Sequence, residues 1–338
     1  MRNLLLILML LIGGLTACSK ESAETGQGED SQAQATPAAE SFEIAVIPKG
    51  TAHPFWKAVH AGAEKAGQEA GAKIFWTGAE NEDDRNQQIE VVRNFISRGV
   101  DAIVLAPLDD TALVRPVEEA IRRNIPVVII DSDLKSEAYS SFVATDNFEG
   151  GRLAARRLAQ VLDMQGRILM LRYSEGSAST RNREDGFLAE MKEDYPEIEL
   201  VSTNQYAGVT KESAYQASQN MLNKYPDISG VFTPNESSSF GMLRALETSG
   251  KKPGTIKFVG FDASEGLLEG LREGYIQGLV AQDPFQMGYK GVLTAVQVLK
   301  GETVEKRIPT RLLIVTDENM ENPDVIEVIR TEAERSRE

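Results

Sequence analysis

One cysteine, two histidines and two tryptophans in 338 residues leave little material for several kinds of chemistry. A lone cysteine, Cys18, cannot form a disulfide within a monomer, so apolar cores must hold whatever fold exists. Basic residues are also scarce: 36 Lys and Arg against 51 Asp and Glu give a formal charge of −15. Nucleic-acid binding needs cations that displace phosphate counterions, and this balance argues against it and against electrostatic adhesion to a membrane. Acidic solubility accounts for the charge. No glycine-rich dinucleotide or triphosphate loop follows a first strand. Ser132, His53 and Asp131 are the residue types of a triad, but no Gly-x-Ser-x-Gly elbow surrounds Ser132, and the chain is expected not to be an enzyme. His53 and His60 stand seven residues apart, about two helical turns, too far to share one ion. Neither metal nor cofactor is expected.

Arg2, the apolar run from Leu4 to Ile12 and the small-residue stretch Leu15-Thr16-Ala17-Cys18 have the layout of a secretory signal. The run is shorter than the about 20 apolar residues that span a bilayer. A cysteine in place of the usual final small residue resembles a bacterial lipobox. That resemblance implies cleavage before Cys18 and acylation of its thiol. Residues 1–17 are then a signal peptide. The remainder is exported to the cell envelope, facing the periplasm or the outer surface of the cytoplasmic membrane according to the host. Residues 19–40 contain no aromatic residue and no Leu, Ile or Val, so they cannot bury enough to offset their ordering entropy. Residues 18–41 read as a lipidated tether with an average reach of about 25 Å.

From Phe42 onward about 290 residues remain, long for one core and natural for two. Strand-like runs occur at Glu43–Ile47, Lys73–Trp76, Ala102–Ala106, Val127–Asp131, Ser141–Thr145, Arg167–Arg172, Glu199–Thr203, Gly230–Thr233, Lys257–Phe261 and Gln277–Ala281. Several are continuously apolar, as strands covered by helices on both faces are. Between them Phe55, Val59 and Ala63, then Ile89, Val92 and Ile96, repeat with helical period. Alternation of strand and helix predicts an α/β fold of mostly parallel sheets, and the number of units predicts two lobes. Ligands of such sheets bind beyond the carboxyl ends of the strands. The stretches in that position are Lys49 to Trp56, Asp131-Ser132-Asp133, Thr180 to Arg183, Asn235-Glu236, Asp262 and Gln282-Asp283. Aromatic faces beside carboxylate, amide and guanidinium groups suit a compact, hydroxyl-rich ligand.

These stretches resemble the type I periplasmic binding proteins, in particular the ribose-binding-protein-like group that serves ABC sugar importers. The resemblance runs from about Phe42 to Thr316. It is carried by His53-Pro54-Phe55-Trp56, Ile125-Pro126-Val127-Val128-Ile129-Ile130-Asp131, Thr145-Asp146-Asn147 and Thr180-Arg181-Asn182-Arg183-Glu184-Asp185-Gly186-Phe187. Asn235-Glu236, Gly241-Met242-Leu243-Arg244-Ala245-Leu246, Val259-Gly260-Phe261-Asp262 and Ala281-Gln282 complete it. It implies two Rossmann-like lobes around a ligand cleft, joined by three segments that cross near Thr145–Phe148, Ala281–Pro284 and Pro309–Leu312. Residues 42–145 with 283–310 form the amino-terminal lobe, 146–282 with 311–325 the other, and 326–338 a tail.

Carried over by position, the implied ligand contacts are Lys49, His53, Phe55, Trp56, Asp131, Ser132, Arg183, Asn235, Asp262 and Gln282. Phe55 and Trp56 lie about 100° apart on a helix, so one is expected to pack inward and one to face the cleft. The family's loop after Glu199–Thr203 adds an aromatic, for which Tyr206 and Val209 are the aligned positions. Asp146 reads as structural, starting the following helix. Two departures stand out. Ribose binders carry an arginine where Ser132 stands, and small neutral residues where Lys49 and His53 stand. A cationic pair at the cleft mouth suits a modified sugar, a polyol or a sugar acid as well as ribose. Lys49 is expected to pair with an acidic ligand group or to neutralise Asp133. The implied function is a monomeric, lipid-anchored solute-binding protein that closes on a sugar-like ligand and delivers it to an ABC permease and its ATPase. The alternative is a receptor that presents its closed form to a chemotaxis protein or sensor kinase.

Overall fold

The computed structural model describes residues 41–330. The signal-like stretch, Cys18, residues 19–40 and the last eight residues, 331–338, lie outside the described residues. In chain order the first elements are β1 (Glu43–Ile47), α1 (Pro54–Ala70), β2 (Lys73–Trp76), α2 (Arg85–Arg98), β3 (Ala102–Leu105), α3 (Val114–Arg122), β4 (Val127–Ile130) and β5 (Ser141–Ala144). The chain continues through α4 (Asn147–Val161), β6 (Gly166–Arg172), α5 (Ala178–Asp194), β7 (Ile198–Tyr206), α6 (Lys211–Lys224), β8 (Gly230–Phe232), α7 (Glu236–Thr248) and β9 (Lys257–Phe261). It ends with α8 (Glu265–Arg272), β10 (Gly278–Gln282), α9 (Pro284–Leu299), β11 (Arg307–Pro309), β12 (Leu312–Val315) and α10 (Pro323–Ile329).

The strands form two six-stranded sheets, ordered β11-β5-β4-β3-β1-β2 and β12-β10-β9-β8-β6-β7. The two orders match position for position. Every neighbouring pair is parallel except β10 with β12. The exception follows from the short link between β11 and β12, which leaves no room for a crossover helix. The chain passes between sheets at three places, after β5, after β10 and after β11, all at one edge of each sheet.

Each sheet has a core on both faces, which is why its strands read as unbroken apolar runs. In β1, Ala45 and Ile47 join Val92, Phe95 and Val117 on one face, while Ile44 and Val46 meet Val59, Ala63 and Met287 on the other. In β6, Leu169 and Leu171 face Met242 and Leu267, while Ile168 and Met170 face Leu158 and Phe187. Fully burying each such aliphatic contributes about 1.5–3 kcal/mol.

Helix ends follow local chemistry. Asp84 caps α2 by accepting from Gln87 N–H at 2.8 Å, and Asp146 caps α4 by accepting from Glu149 N–H at 3.0 Å. Two helix pairs touch backbone to backbone through reciprocal glycines. A Cβ on Gly62 of α1 would strike the Phe285 carbonyl, and one on Gly288 of α9 the Val59 carbonyl. In the second half Gly151 of α4 abuts the Arg183 carbonyl and Gly186 of α5 the Phe148 carbonyl.

One expectation needs correction. Residues 326–338 do not begin as a tail, because α10 continues to Ile329 and buries Val325 and Val328 in the second sheet's core.

Candidate functional site

Strand ends from both sheets enclose one cavity. The first sheet contributes Lys49 after β1, His53, Phe55 and Trp56 at the start of α1, Glu82 after β2, and Asp131 after β4. The second contributes Tyr173 after β6, Ser179, Thr180 and Arg183 on α5, and Asn235, Glu236 and Ser237 at the start of α7. Asp262 after β9 and Gln282 at the end of β10 complete the lining. The cavity measures about 30 Å³, room for a couple of waters.

Asp131 and Asp262 occupy equivalent positions, each after the third strand in from the edge where the crossings lie. Both adopt left-handed backbone, φ 61° and 70°. Aspartate tolerates that region better than most side chains, and strain of this kind clusters at functional sites.

Lys49 is almost fully buried, and its ammonium lies 2.7 Å from Asp131 Oδ2. It also donates to Ser179 Oγ at 3.0 Å and to Ser177 Oγ at 3.5 Å, both at the amino end of α5. Lys49 is therefore not at a cleft mouth and does not neutralise Asp133. The latter instead accepts from Arg307 at 2.7 Å and from the Tyr139 hydroxyl at 2.9 Å. Ser132 is also buried but does not line the cavity; its hydroxyl accepts from Ser179 N–H at 3.0 Å. The expectation that it faces ligand is corrected accordingly: it ties the two halves together.

Arg183 sits at the base of the site with all three guanidinium nitrogens engaged. Nε donates to Asn147 Oδ1 at 2.8 Å, Nη1 to the Pro234 carbonyl at 2.9 Å and Nη2 to Gln282 Oε1 at 2.9 Å. Its plane lies over the Phe261 ring, 4.0 Å from the centroid. Burial draws its pKa down, and the charges of Asp262 and Asp131 resist that. Gln282 is fixed from both ends: its carbonyl also accepts from the Thr145 hydroxyl at 2.9 Å, and its amide donates to Asp262 Oδ1 at 2.7 Å. Thr145 in turn lies 3.2 Å from the Thr310 hydroxyl, so residues from all three crossings are hydrogen-bonded together.

Asp262 also accepts from Glu236 N–H at 2.8 Å. Burial pushes its carboxyl up to about 6. Arg183 and the Gln282 hydrogen bond pull against that shift, and the charge of Glu236 adds to it.

Phe55 and Trp56 both line the cavity, ring edge to ring face with centroids 5.0 Å apart. The expected division into one core and one cleft residue does not hold, since Trp56 belongs to the core and reaches the cavity as well. Its indole N–H donates to Glu82 Oε1 at 2.6 Å, and the Tyr173 hydroxyl donates to Glu82 Oε2 at 2.6 Å from the other sheet. Burial, and then the charge of Glu82, raise the Tyr173 pKa well above its ordinary value, so it stays a donor. Asn235 caps α7 through a reciprocal capping box with Ser238 while lining the cavity. His53 stands at the N-cap of α1 without a side-chain cap bond.

Sequence reasoning missed Glu82 and Tyr173. Both lie just past strand ends, so applying the same rule to β2 and to the first residue after β6 finds the right segments. Tyr206 and Val209 do not line the cavity, and Tyr206 is exposed. Thr180, Asn235 and Glu236, which lay in the strand-end stretches, do line it.

Residues 44–303 match the family model described as periplasmic binding protein domain. A ribose import binding protein, RbsB, of Bacillus subtilis (strain 168) is 30% identical over 312 residues, covering 92% of this chain and 97% of the relative. A carbohydrate transporter solute binding protein from Agrobacterium radiobacter, solved in complex with D-arabinose, is 35% identical. It superposes with a TM-score of 0.83 over 86% of this chain and 100% of its own. An ABC transporter solute binding protein from Agrobacterium vitis with bound D-fucose is 36% identical, with a TM-score of 0.81, over 85% of this chain and 99% of its own. With most of its length matched, in two like sheets whose strand ends meet at one cavity, the chain belongs to the periplasmic binding protein family.

Proposed function

We propose that the protein captures a small polyhydroxylated ligand between its two halves and delivers it to an ABC import permease with its ATPase. The observation that carries this reading is the pair Asp131 and Asp262. Two carboxylates on equivalent strand ends of separate sheets meet in one cavity beside the faces of Phe55 and Trp56. Hydroxyl groups donate to such carboxylates, each bond to a charged acceptor contributing about 1.5–3 kcal/mol, while aromatic faces cover C–H surface. Relatives named for ribose import, and similar solved proteins that hold D-arabinose and D-fucose, support a sugar as the ligand class.

The narrow cavity supports closure as the mechanism. Ligand pockets usually measure some 300 Å³ or more, and a space of about 30 Å³ is too small for even a pentose, so entry requires the halves to part about the three crossings. A ligand that bridges the two aspartates favours the closed arrangement, and closure is then a population shift driven by that differential affinity. The permease would read the paired surfaces of the closed form. Cys18 is proposed as the lipid attachment that keeps the body near the membrane. Incorporation of labelled palmitate that is lost in Cys18→Ala tests this.

The experiment for the ligand is thermal melting of the full chain against pentoses, hexoses, amino sugars, polyols and nucleosides. Ligand at a hundred times its Kd adds about 2.7 kcal/mol, a shift of a few degrees. A shift confined to one sugar class supports the reading. No shift with any sugar or polyol removes it.

A further inference from the structure

The cavity's cationic donors, Lys49 and Arg183, are spent on the protein, while its carboxylates are not all filled. His53, Asn235 and the hydroxyls of Ser179 and Ser237 also line it and can serve a ligand's hydroxyls. Lys49 has three protons and three acceptors around them: Asp131, Ser179 and Ser177. Arg183 is bonded at every nitrogen, the Trp56 indole and the Tyr173 hydroxyl both go to Glu82, and the Gln282 amide goes to Asp262. Against these stand four carboxylates, Glu82, Asp131, Glu236 and Asp262, lining the same space. An ionised carboxylate offers about four lone-pair sites. Among the charged groups the unfilled positions are thus acceptor sites, and the lining carries four carboxylates against the two cations Lys49 and Arg183.

The surplus is sharpest at Glu236. It is 3% exposed, and its Oε1 makes no hydrogen bond among the described residues. Its Oε2 takes only a long 3.4 Å bond from Phe55 N–H. Lys211 approaches Oε1 at 3.6 Å, but it lies outside the cavity lining and is held over the Phe240 ring at 4.3 Å. The Glu236 N–H meanwhile donates to Asp262, which places the two acidic residues side by side.

Resting on the sugar-site reading, we propose that the ligand is a polyhydroxylated amine, an amino sugar or aminopolyol, whose ammonium sits against Glu236 and Asp262. An ammonium brings three donors and no acceptor, which is what Oε1 lacks. An ammonium on a carboxylate is charged on both sides of the bond, whereas a hydroxyl on the same carboxylate is charged on the acceptor side alone. The raised pKa of Asp262, to which burial and the charge of Glu236 both contribute, is consistent with an acidic pair that its neighbours leave under-compensated. A sugar acid fits poorly, because it would face four carboxylates with the protons of Lys49 already taken.

Isothermal titration of the full chain at pH 7 tests this with D-glucosamine, D-galactosamine and D-mannosamine. Their hydroxyl parents, N-acetyl derivatives and D-glucuronate run alongside. At least one amine should bind about tenfold tighter than its parent and its N-acetyl form, a difference of about 1.4 kcal/mol. Glu236→Gln should bring that ratio close to one. Lys211→Met, which removes a competing cation outside the lining, should raise it. Parents that bind as well as amines overturn the inference and leave the sugar site standing. A preference that survives Glu236→Gln overturns the placement of the ammonium. Should Glu236→Gln fail to give a cooperative melt, an unchanged ratio in Lys211→Met overturns it instead. No binding by any compound overturns the sugar reading, and this inference with it.

Discussion

Asp262 should make the ligand-free protein more stable as pH falls towards 4. Its carboxyl lies up near pH 6 in the folded protein, against an ordinary value of 3.8, chiefly because it is buried. Between those two values the folded protein holds a proton that the unfolded chain has already lost. Unfolding then releases a proton, and stability falls as pH rises through the window from about 4 to about 6. About two pK units at 1.36 kcal/mol each set the size at roughly 3 kcal/mol, with no further change from this group above pH 6. Glu184, whose carboxyl is also raised by burial, adds a slope of the same sign. Asp110 adds an opposite one: burial pushes its carboxyl up, but Arg181, Thr111 and Lys135 together bring it below its ordinary value. Both slopes are common to the native chain and to Asp262→Asn, so they cancel in the difference. Asparagine also accepts the left-handed backbone at this position. Urea unfolding of both proteins from pH 4 to 7.5 should show the variant gaining about 3 kcal/mol on the native chain as pH rises. A fixed offset from altered hydrogen bonding leaves that slope intact. Parallel curves would refute the reasoning, for they would mean Asp262 titrates normally. A neutral sugar that donates to the ionised carboxylate should also bind about tenfold more weakly at pH 5 than at pH 7.

Other tests address neighbouring contacts. Lys49→Met leaves Asp131 buried without its cation and should cost about 3–5 kcal/mol at pH 7 in urea unfolding; a cost under 1 kcal/mol would mean that Asp131 is rehydrated in the variant. Tyr173→Phe removes the bond from the second half to Glu82 and should weaken sugar binding by about 1.5–3 kcal/mol, read by titration. An unchanged Kd would make that bond irrelevant to closure. Gly288→Ala drives a methyl into the Val59 carbonyl and should lower stability by about 1–3 kcal/mol or more, measured by thermal melting. A neutral result would show that α1 and α9 can separate without penalty.

What could be read in advance divides along physical lines. Val127–Ile130 was visible because a strand covered on both faces must be apolar throughout. By contrast β11 is three residues, Arg-Ile-Pro, too short and polar to stand out, while β12, Leu312–Val315, is an apolar run that was not counted among the strand-like segments. Their place came from family likeness alone. The strand-end rule found Asp131, Asp262, Arg183 and Gln282, because topology decides which residues reach the cavity edge. The partners chosen there were not legible. That Lys49 meets Asp131, while Asp133 goes to Arg307 and Tyr139, depends on tertiary placement. That Ser132 serves a backbone N–H of α5 depends on how two sheets meet, which no local pattern encodes.

The three crossings sit together at one edge, and this gives the contacts around the cavity unequal leverage. From β5 to β2 is four strand spacings, about 19 Å at about 4.8 Å each. Turning the halves about their shared edge by some 10° moves the far side by about 3 Å, a full hydrogen-bond length. Glu82 and Tyr173 stand towards that far side, whereas Thr145, Gln282 and Arg183 are gathered near the pivot. Opening would therefore run as an unzipping. The Tyr173–Glu82 bond yields at the first few degrees while the Gln282 cluster stays whole. Tyrosine fluorescence should then report early opening well before distance labels across the pivot register any change.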